Sequence, residues 1–374
     1  MSKTIPVAAP DLSGNEEEYV VEAIRSSWIS SSGEFVNKFE QQFADACDVE
    51  FAIGTCNGTV ALHLALLALD LRPGDEVLVP SLTYVATANA VRYVGAEPVF
   101  VDVDPETWCI DPALLEDNIT RRTKGIIAVH LYGHPADMDR INHIAAVHGL
   151  WVIEDAAEAH FATYKGRPVG GLGQIGTFSF FGNKLITCGE GGAVTLNDKQ
   201  LAIRARTLWG QGMDPERRYY FPVTGYNFRL TNVACAILCA QLERANTIVE
   251  KRNRIFEVYK DHLSDVPGIG FQPQAEWAVP APWLFCITVD SEEYGQSRDD
   301  LMQHLAKKGI DTRPFFIPLH TLPPYREKSI ERGEKLDVTL RLGASGINLP
   351  TYTSMDEKAI NKICDVIRDY AAAT

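Results

Sequence analysis

The chain predicts an α/β fold: a mostly parallel sheet covered by helices on both faces, followed by a smaller α+β unit. Three observations carry this expectation. Short apolar runs rich in β-branched residues recur between residues 51 and 196. Helical patterns lie between the earlier runs, and alternating strand and helix is the pattern of a parallel sheet with right-handed crossovers. Beyond residue 232 the texture changes, and 374 residues are too many for one small core. The expected division is a large domain over 1–240 and a small domain over 241–374.

The strand candidates are 51–55, 76–80, 98–103, 125–130, 151–155, 176–180 and 192–196. Each is strand-length and bounded by Gly, Pro or charged residues. Val77-Leu78-Val79 and Ile126-Ile127-Ala128-Val129 are continuously apolar, so they read as buried on both faces. Residues 60–69 and 138–148 carry the clearest helical patterns of this region. Residues 232–263 read as one helix rich in Ala, Leu, Glu and Arg. It is longer than a typical globular helix and is expected to bridge the two domains. The small unit offers strands at 284–289 and 309–313 and helices at 298–308 and 356–371. The sequence contains no internal repeat and no low-complexity segment.

Composition narrows the function classes. With 46% hydrophobic and 22% charged residues, the chain is globular. A net charge of -14 argues against nucleic acid or an anionic membrane as the main partner, because both attract basic surfaces. A phosphorylated small molecule remains compatible, since helix N-termini bind phosphate on acidic proteins. The eight cysteines are scattered without a CxxC pair, which points to a reducing compartment. Cys235 and Cys239, in an apolar helical stretch, are expected to pack as small hydrophobes. The first residues lack the apolar run of a signal peptide, and no window reaches the roughly 20 apolar residues of a membrane helix. A cytoplasmic location is expected.

Four segments carry candidate chemistry, each where a strand ends or a helix begins. In parallel α/β sheets the ligand crevice lies at those strand ends. In the first, Gly58 and Thr59 open the helix after strand 51–55, and free N–H groups there suit a phosphate. Asn57 and Thr59 also serve as ordinary caps. In the second, Ile153-Glu154-Asp155-Ala156-Ala157-Glu158, Asp155 ends a buried strand. Its carboxylate can pair with a cationic ring nitrogen or simply cap the next helix. Glu158 lies three residues on and can face the same site.

The third is Thr177-Phe178-Ser179-Phe180-Phe181-Gly182-Asn183-Lys184, followed by Gly189-Glu190-Gly191-Gly192. A lysine among apolar and Gly-rich flanks is a candidate desolvated amine, and the neutral form is the one that makes a Schiff base. Ser179 can hydrogen-bond a phosphate. The fourth, Gly225-Tyr226-Asn227-Phe228-Arg229-Leu230-Thr231-Asn232, can reach an anion through Asn227 and Arg229 or cap the next helix through Thr231 or Asn232. His130 and His134 sit at a strand end without a carboxylate neighbour in sequence, so no metal site is expected.

These segments, in this order, resemble the sugar-nucleotide aminotransferases of the DegT/DnrJ/EryC1/StrS family. The resemblance runs over nearly the whole chain. It is close at Trp28-Ile29-Ser30-Ser31, NGTVALHLALLAL, VHLYGHPADMD, IEDAAEAH, TFSFFGNK with GEGG, GYNFRLTN, TRPFFIPLHTLPPY and GINLP. Eight motifs in register are a specific signal.

The resemblance implies a fold-type-I, aspartate aminotransferase-like enzyme with a seven-stranded, mostly parallel sheet and pyridoxal 5′-phosphate as cofactor. It implies a homodimer with shared active sites. Lys184 matches the Schiff-base lysine, Asp155 the partner of the pyridine nitrogen, and Glu158 the position that meets the cofactor's 3-hydroxyl. Gly58, Thr59 and Ser179 match the phosphate cup, Asn227 the phosphate ligand from the other subunit, and Tyr84 the aromatic that stacks on the ring. Trp28 and Ser30 match the sugar site. Arg229 and Arg313 can meet a carboxylate or diphosphate, and His320 matches a position from the small domain.

The implied reaction moves the amino group of L-glutamate to C4 of a nucleotide-linked 4-keto-6-deoxy sugar, GDP-4-keto-6-deoxymannose first among them. Phe228, Ile317, Leu185 and Cys188 depart from the usual pattern. Ile317 lies near the expected sugar site, so amination at C3, or of a UDP- or dTDP-linked sugar, stays open. A cofactor-binding regulator without turnover is the alternative of another class. Lys184, Asp155 and Ser179 are all present, which counts against it.

Overall fold

The computed structural model describes residues 4–214 and 216–372. Its centre is a seven-stranded sheet of β1 (Phe51–Thr55), β2 (Glu76–Pro80), β3 (Glu97–Val101), β4 (Thr123–Val129), β5 (Trp151–Asp155), β6 (Ile175–Ser179) and β7 (Gly192–Leu196). The spatial order is β1-β7-β6-β5-β4-β2-β3. Strands β3, β2, β4, β5 and β6 run parallel, and β7 pairs antiparallel with both β6 and β1. The expected mixed, mostly parallel sheet is therefore what forms. Its apolar runs explain it: Val77, Leu78, Val79, Ile126, Ile127 and Ala128 are all fully buried, as strands covered on both faces must be.

The covering helices are α1 (Glu16–Arg25), α2 (Glu34–Cys47), α3 (Gly58–Ala68), α4 (Ala86–Tyr93), α5 (Met138–His148) and α6 (Lys199–Trp209). Helix α3 is apolar nearly all round and buries Ala61, Leu62, Leu64, Ala65, Leu66 and Ala68; such a helix belongs inside a protein. Helix α2 sends Phe39 and Phe43 against the sheet. The Phe43 ring meets Phe178 edge-on at 4.9 Å, and Phe39 meets Phe180 at 5.5 Å.

The 232–263 stretch is two helices, not the single one its composition predicts. They are α7 (Asn232–Glu243) and α8 (Ala245–Leu263), broken at Arg244, where φ is -111° and ψ is 5°. The two helices serve different cores. Helix α7 packs on α1 and α2, whereas α8 packs on the C-terminal helix. Arg244 is held at the break by Asp11 at 3.1 Å and Ser13 at 2.9 Å, and it pairs with Glu16.

Beyond the break lies an antiparallel four-stranded sheet of β8 (Ile269–Phe271), β9 (Phe285–Val289), β10 (Arg313–Pro314) and β11 (Gly346–Leu349), in the order β8-β9-β11-β10. Further helices are α9 (Arg298–Lys307), α10 (Pro323–Arg332), α11 (Asp337–Ser345) and α12 (Glu357–Ala372). A second apolar core joins Tyr259, Phe285, Ile287, Leu305, Ile347 and Ile363. The strand expected over 309–313 shrinks to β10, because the preceding residues pair elsewhere. Ile5 donates to the Gly309 carbonyl and accepts from the Asp311 N–H, both at 2.9 Å. Among the described residues no helix is long and apolar enough to cross a membrane.

Candidate active site

The carboxyl ends of β5 and β6, the start of α3 and the edge of the small sheet enclose a cavity of about 630 Å³. Asp155 is the last residue of β5 and Ser179 the last of β6. The parallel register sets Asp155 opposite Thr177. Asp155 Oδ2 accepts from the Thr87 hydroxyl at 2.7 Å, and Oδ1 accepts from the Ala157 N–H at 3.3 Å. Burial raises the Asp155 carboxyl above its usual range, and these two donors oppose the rise.

Glu158 follows one turn later and is equally buried. The Tyr132 N–H donates to its Oε2 at 2.8 Å. Tyr132 adopts a φ of 52°, a left-handed conformation uncommon for an aromatic residue, at the point where its N–H meets the carboxylate. Burial pushes Glu158 up to about 7, against the attraction of Lys184 and the Tyr132 donor. Lys184 lies in the turn after β6, half-buried, and lines the cavity. Burial lowers its affinity for a proton, Glu158 and Asp155 raise it, and Arg313 lowers it again.

One corner of the cavity is formed by the start of α3 and the end of β6. Asn57 caps α3, its side chain accepting from the Val60 N–H at 2.9 Å. This leaves the first N–H groups of the helix aimed outward. Gly58 approaches Ser179 so closely that a Cβ would lie 2.6 Å from the Ser179 Cβ. Thr59 and Ser179 line the same corner.

The cavity thus gathers Gly58, Thr59, Tyr84, Asp155, Glu158, Ser179, Lys184 and Arg313. Tyr84 is 58% exposed at the rim, with its ring 5.9 Å from that of Phe316. Other candidates lie outside the cavity wall. Asn227 is exposed, and its Oδ1 accepts from Arg229 Nε at 3.0 Å. Trp28 is 59% exposed. Asn232 ties the Trp28–Ser30 segment down, donating to the Trp28 carbonyl at 2.7 Å and the Ser30 carbonyl at 2.6 Å. Thr231, not Asn232, caps α7.

His320 lies 2.7 Å from the Ser81 hydroxyl through Nδ1, while Ser81 Oγ accepts from the His320 N–H at 3.1 Å. His130, read from sequence as lacking an acidic neighbour, meets buried Glu154 at 3.0 Å. Its Nδ1 accepts from the Ala136 N–H at 3.0 Å, so Nε2 is the donor to Glu154. Among the described residues no group of three or more His, Cys, Asp or Glu is arranged to hold a metal.

Sequence reasoning missed Thr87, Phe316 and Trp283. Thr87 sits three residues after Tyr84 in a segment already singled out, but nothing along the chain ties it to Asp155. Phe316 sits in the TRPFFIPLHTLPPY motif beside the candidates Arg313 and His320, which was the available signal, whereas Trp283 lies in no motif singled out from the sequence.

Comparison with known proteins decides the family. The model of the DegT/DnrJ/EryC1/StrS aminotransferase family matches residues 10–368. The chain belongs to this family. As an aminotransferase of the DegT/DnrJ/EryC1/StrS family it is an enzyme, and its cofactor is pyridoxal 5′-phosphate. The chain is 48% identical over 360 residues to the GDP-perosamine synthase of Caulobacter vibrioides, covering 96% of each chain. It is 46% identical over 368 residues to the GDP-perosamine synthase of Escherichia coli O157:H7, covering 98% of this chain and 99% of that one. The crystal structure of S. venezuelae DesV in complex with a ketimine intermediate superposes with a TM-score of 0.91 at 34% identity, covering 99% of both chains.

The residues present fit that cofactor. A buried carboxylate suits a protonated ring nitrogen, and a desolvated lysine suits a covalent attachment. The corner at Gly58 is closed to any Cβ, yet it offers helix N–H groups to a phosphate.

Proposed function

We propose that this aminotransferase moves the amino group of L-glutamate to C4 of GDP-4-keto-6-deoxymannose, giving GDP-perosamine, with Lys184 holding the cofactor. The observation that carries the reading is the convergence of Lys184, Asp155 and Glu158 on one cavity beside the open N-terminus of α3. The two relatives named GDP-perosamine synthase support the choice of sugar nucleotide.

When bound, pyridoxal phosphate supplies an electrophilic carbon and an electron-withdrawing ring. The chain's own residues do the rest. Asp155, steadied by Thr87, keeps a carboxylate where the ring nitrogen's proton is held. Gly58 and Thr59 N–H groups and the Ser179 hydroxyl bind the phosphate. Glu158 meets the 3-hydroxyl, and Tyr84 covers the ring. Lys184 Nζ would make the covalent attachment; once free, its neutral amine would take a proton from the donor's α-carbon and return it to the carbon to which the amine had been bonded. Arg313, on the cavity edge, suits the carboxylate of glutamate. Trp28, Ser30 and His320 are assigned to the sugar side.

The same reading makes the protein a cytoplasmic homodimer, with the large domain at 1–240 and the small one at 241–374. Asn227 and Arg229 do not line their own cavity, which suits residues that serve a neighbour's site. Exposed Tyr219, Tyr220 and Phe221 nearby suit a covering second copy.

Mass spectrometry of the products from GDP-4-keto-6-deoxymannose and glutamate tests the reaction. The expected product carries one amino group at C4 by NMR; turnover of dTDP- or UDP-linked sugars in its place rejects the substrate. Lys184→Ala is expected to lose both turnover and the pyridoxyl mass left on this peptide by borohydride. Wild-type amination by that variant would overturn the assignment.

A further inference from the structure

The cavity has one aromatic wall placed directly against the lysine. Lys184 Nζ lies 4.0 Å from the centroid of the Trp283 ring. Trp283 is 3% exposed and is fixed from several directions. Its Nε1–H donates to the Asn183 carbonyl at 2.8 Å, and its own carbonyl accepts from Arg252 at 2.7 Å. Arg252 is buried and also donates to the Thr351 carbonyl at 3.1 Å. The Tyr132 ring stacks beside the indole at 6.2 Å and 20°. Turning the indole away breaks the bond to Asn183. Because Asn183 precedes Lys184, one side chain grips both the lysine's backbone and its amine.

We propose that Trp283 is a positioning residue for Lys184: its indole face receives the ammonium that the freed amine becomes on taking a proton, and holds it in the cavity that Glu158 and Asp155 also line. The inference rests on the reading of Lys184 as the cofactor lysine. The face of an indole carries the negative end of its quadrupole and attracts a cation within about 6 Å, most strongly where water is excluded. The charged groups that act on Lys184 are Glu158, Asp155 and Arg313, and buried His160 lies close enough to feel its charge. Burial and Arg313 disfavour the ammonium, while the two carboxylates favour it. Trp283 adds to the favourable side without adding a proton acceptor. A carboxylate in its place would take the proton, and an aliphatic wall would leave the amine free to swing.

The test uses the full-length holoenzyme and a small amine-modifying reagent, with labelling at Lys184 read by peptide mass spectrometry. Protection of Lys184 in the aldehyde form of the cofactor, and its loss in the aminated form, checks the lysine assignment separately. In the aminated form, the pH midpoint of labelling reports the lysine's proton affinity. Trp283→Leu keeps the wall apolar but removes the π face, and is expected to lower the midpoint by about one pH unit. Trp283→Phe keeps a π face and is expected to shift it less than half as far. Fluorinated tryptophan introduced at 283 weakens the face without altering the fold, and is expected to lower the midpoint with each added fluorine. A Lys184 protected as expected, whose midpoint is unmoved by Leu or by fluorination, overturns the role of Trp283. A Lys184 labelled equally in both cofactor forms overturns the lysine assignment instead.

Discussion

Glu158 is held in a place where its charge is costly. Burial raises its carboxyl from the ordinary value of 4.5 to about 7. The folded chain therefore binds this proton more tightly than the unfolded chain. Stability from this group is fully present below about pH 4.5 and is lost as pH rises to about 7. In the cofactor-free protein, Glu158→Gln keeps an oxygen for the Tyr132 N–H and removes the charge. It is expected to stabilise the fold by up to about 3 kcal/mol at pH 8, with the gain vanishing below pH 4.5. Thermal midpoints of both proteins across that range check this; parallel curves would show that the carboxylate is not strained. The residue types at 155, 158, 179 and 184 were legible because each stands at or a few residues beyond a strand end in a recognisable motif. Thr87 was not, since a threonine earns notice only when a carboxylate is found against it.

At the scale of elements, α3 does two jobs with one sequence. Its apolar body anchors it under the sheet, and its capped N-terminus opens onto the cavity. Gly58 lets the helix start lie against Ser179. Gly58→Ala forces the two apart and is expected to weaken cofactor binding about tenfold or more, with unchanged far-UV circular dichroism. Titration of the stripped protein with pyridoxal phosphate measures it, and an unchanged Kd would mean the corner does not hold the phosphate. The seven strands of the large sheet were legible to within a few residues, because continuous apolar runs bounded by turn residues have few other uses. The break at Arg244 was not legible. The sequence of α7 and α8 is uniformly helix-forming, and only the partners of Arg244 in the N-terminal segment reveal where the direction changes.

At the scale of the molecule, the chain builds two apolar cores. Buried Arg252 on α8 joins them, bridging the carbonyls of Trp283 and Thr351. If the partner subunit's Asn227 completes each site, Lys184→Ala and Asn227→Asp chains should be inactive separately. Mixed and re-associated in equal amounts, they should recover about one quarter of wild-type activity, since half the two-fold dimers then carry one intact site. No recovery from dimers shown to have exchanged would place Asn227 in its own chain's site or in none.

The sequence by itself determined the parallel α/β sheet, the family and three of the segments that line the cavity. These follow from local patterning: apolar runs, helix starts and motifs that need no distant partner to be read. Only the tertiary structure decided that Thr87 steadies Asp155, that Tyr132 bends to serve Glu158, and that an indole a hundred residues away lies against the lysine. Those pairings depend on how separate elements are brought together in space, and no spacing along the chain encodes them.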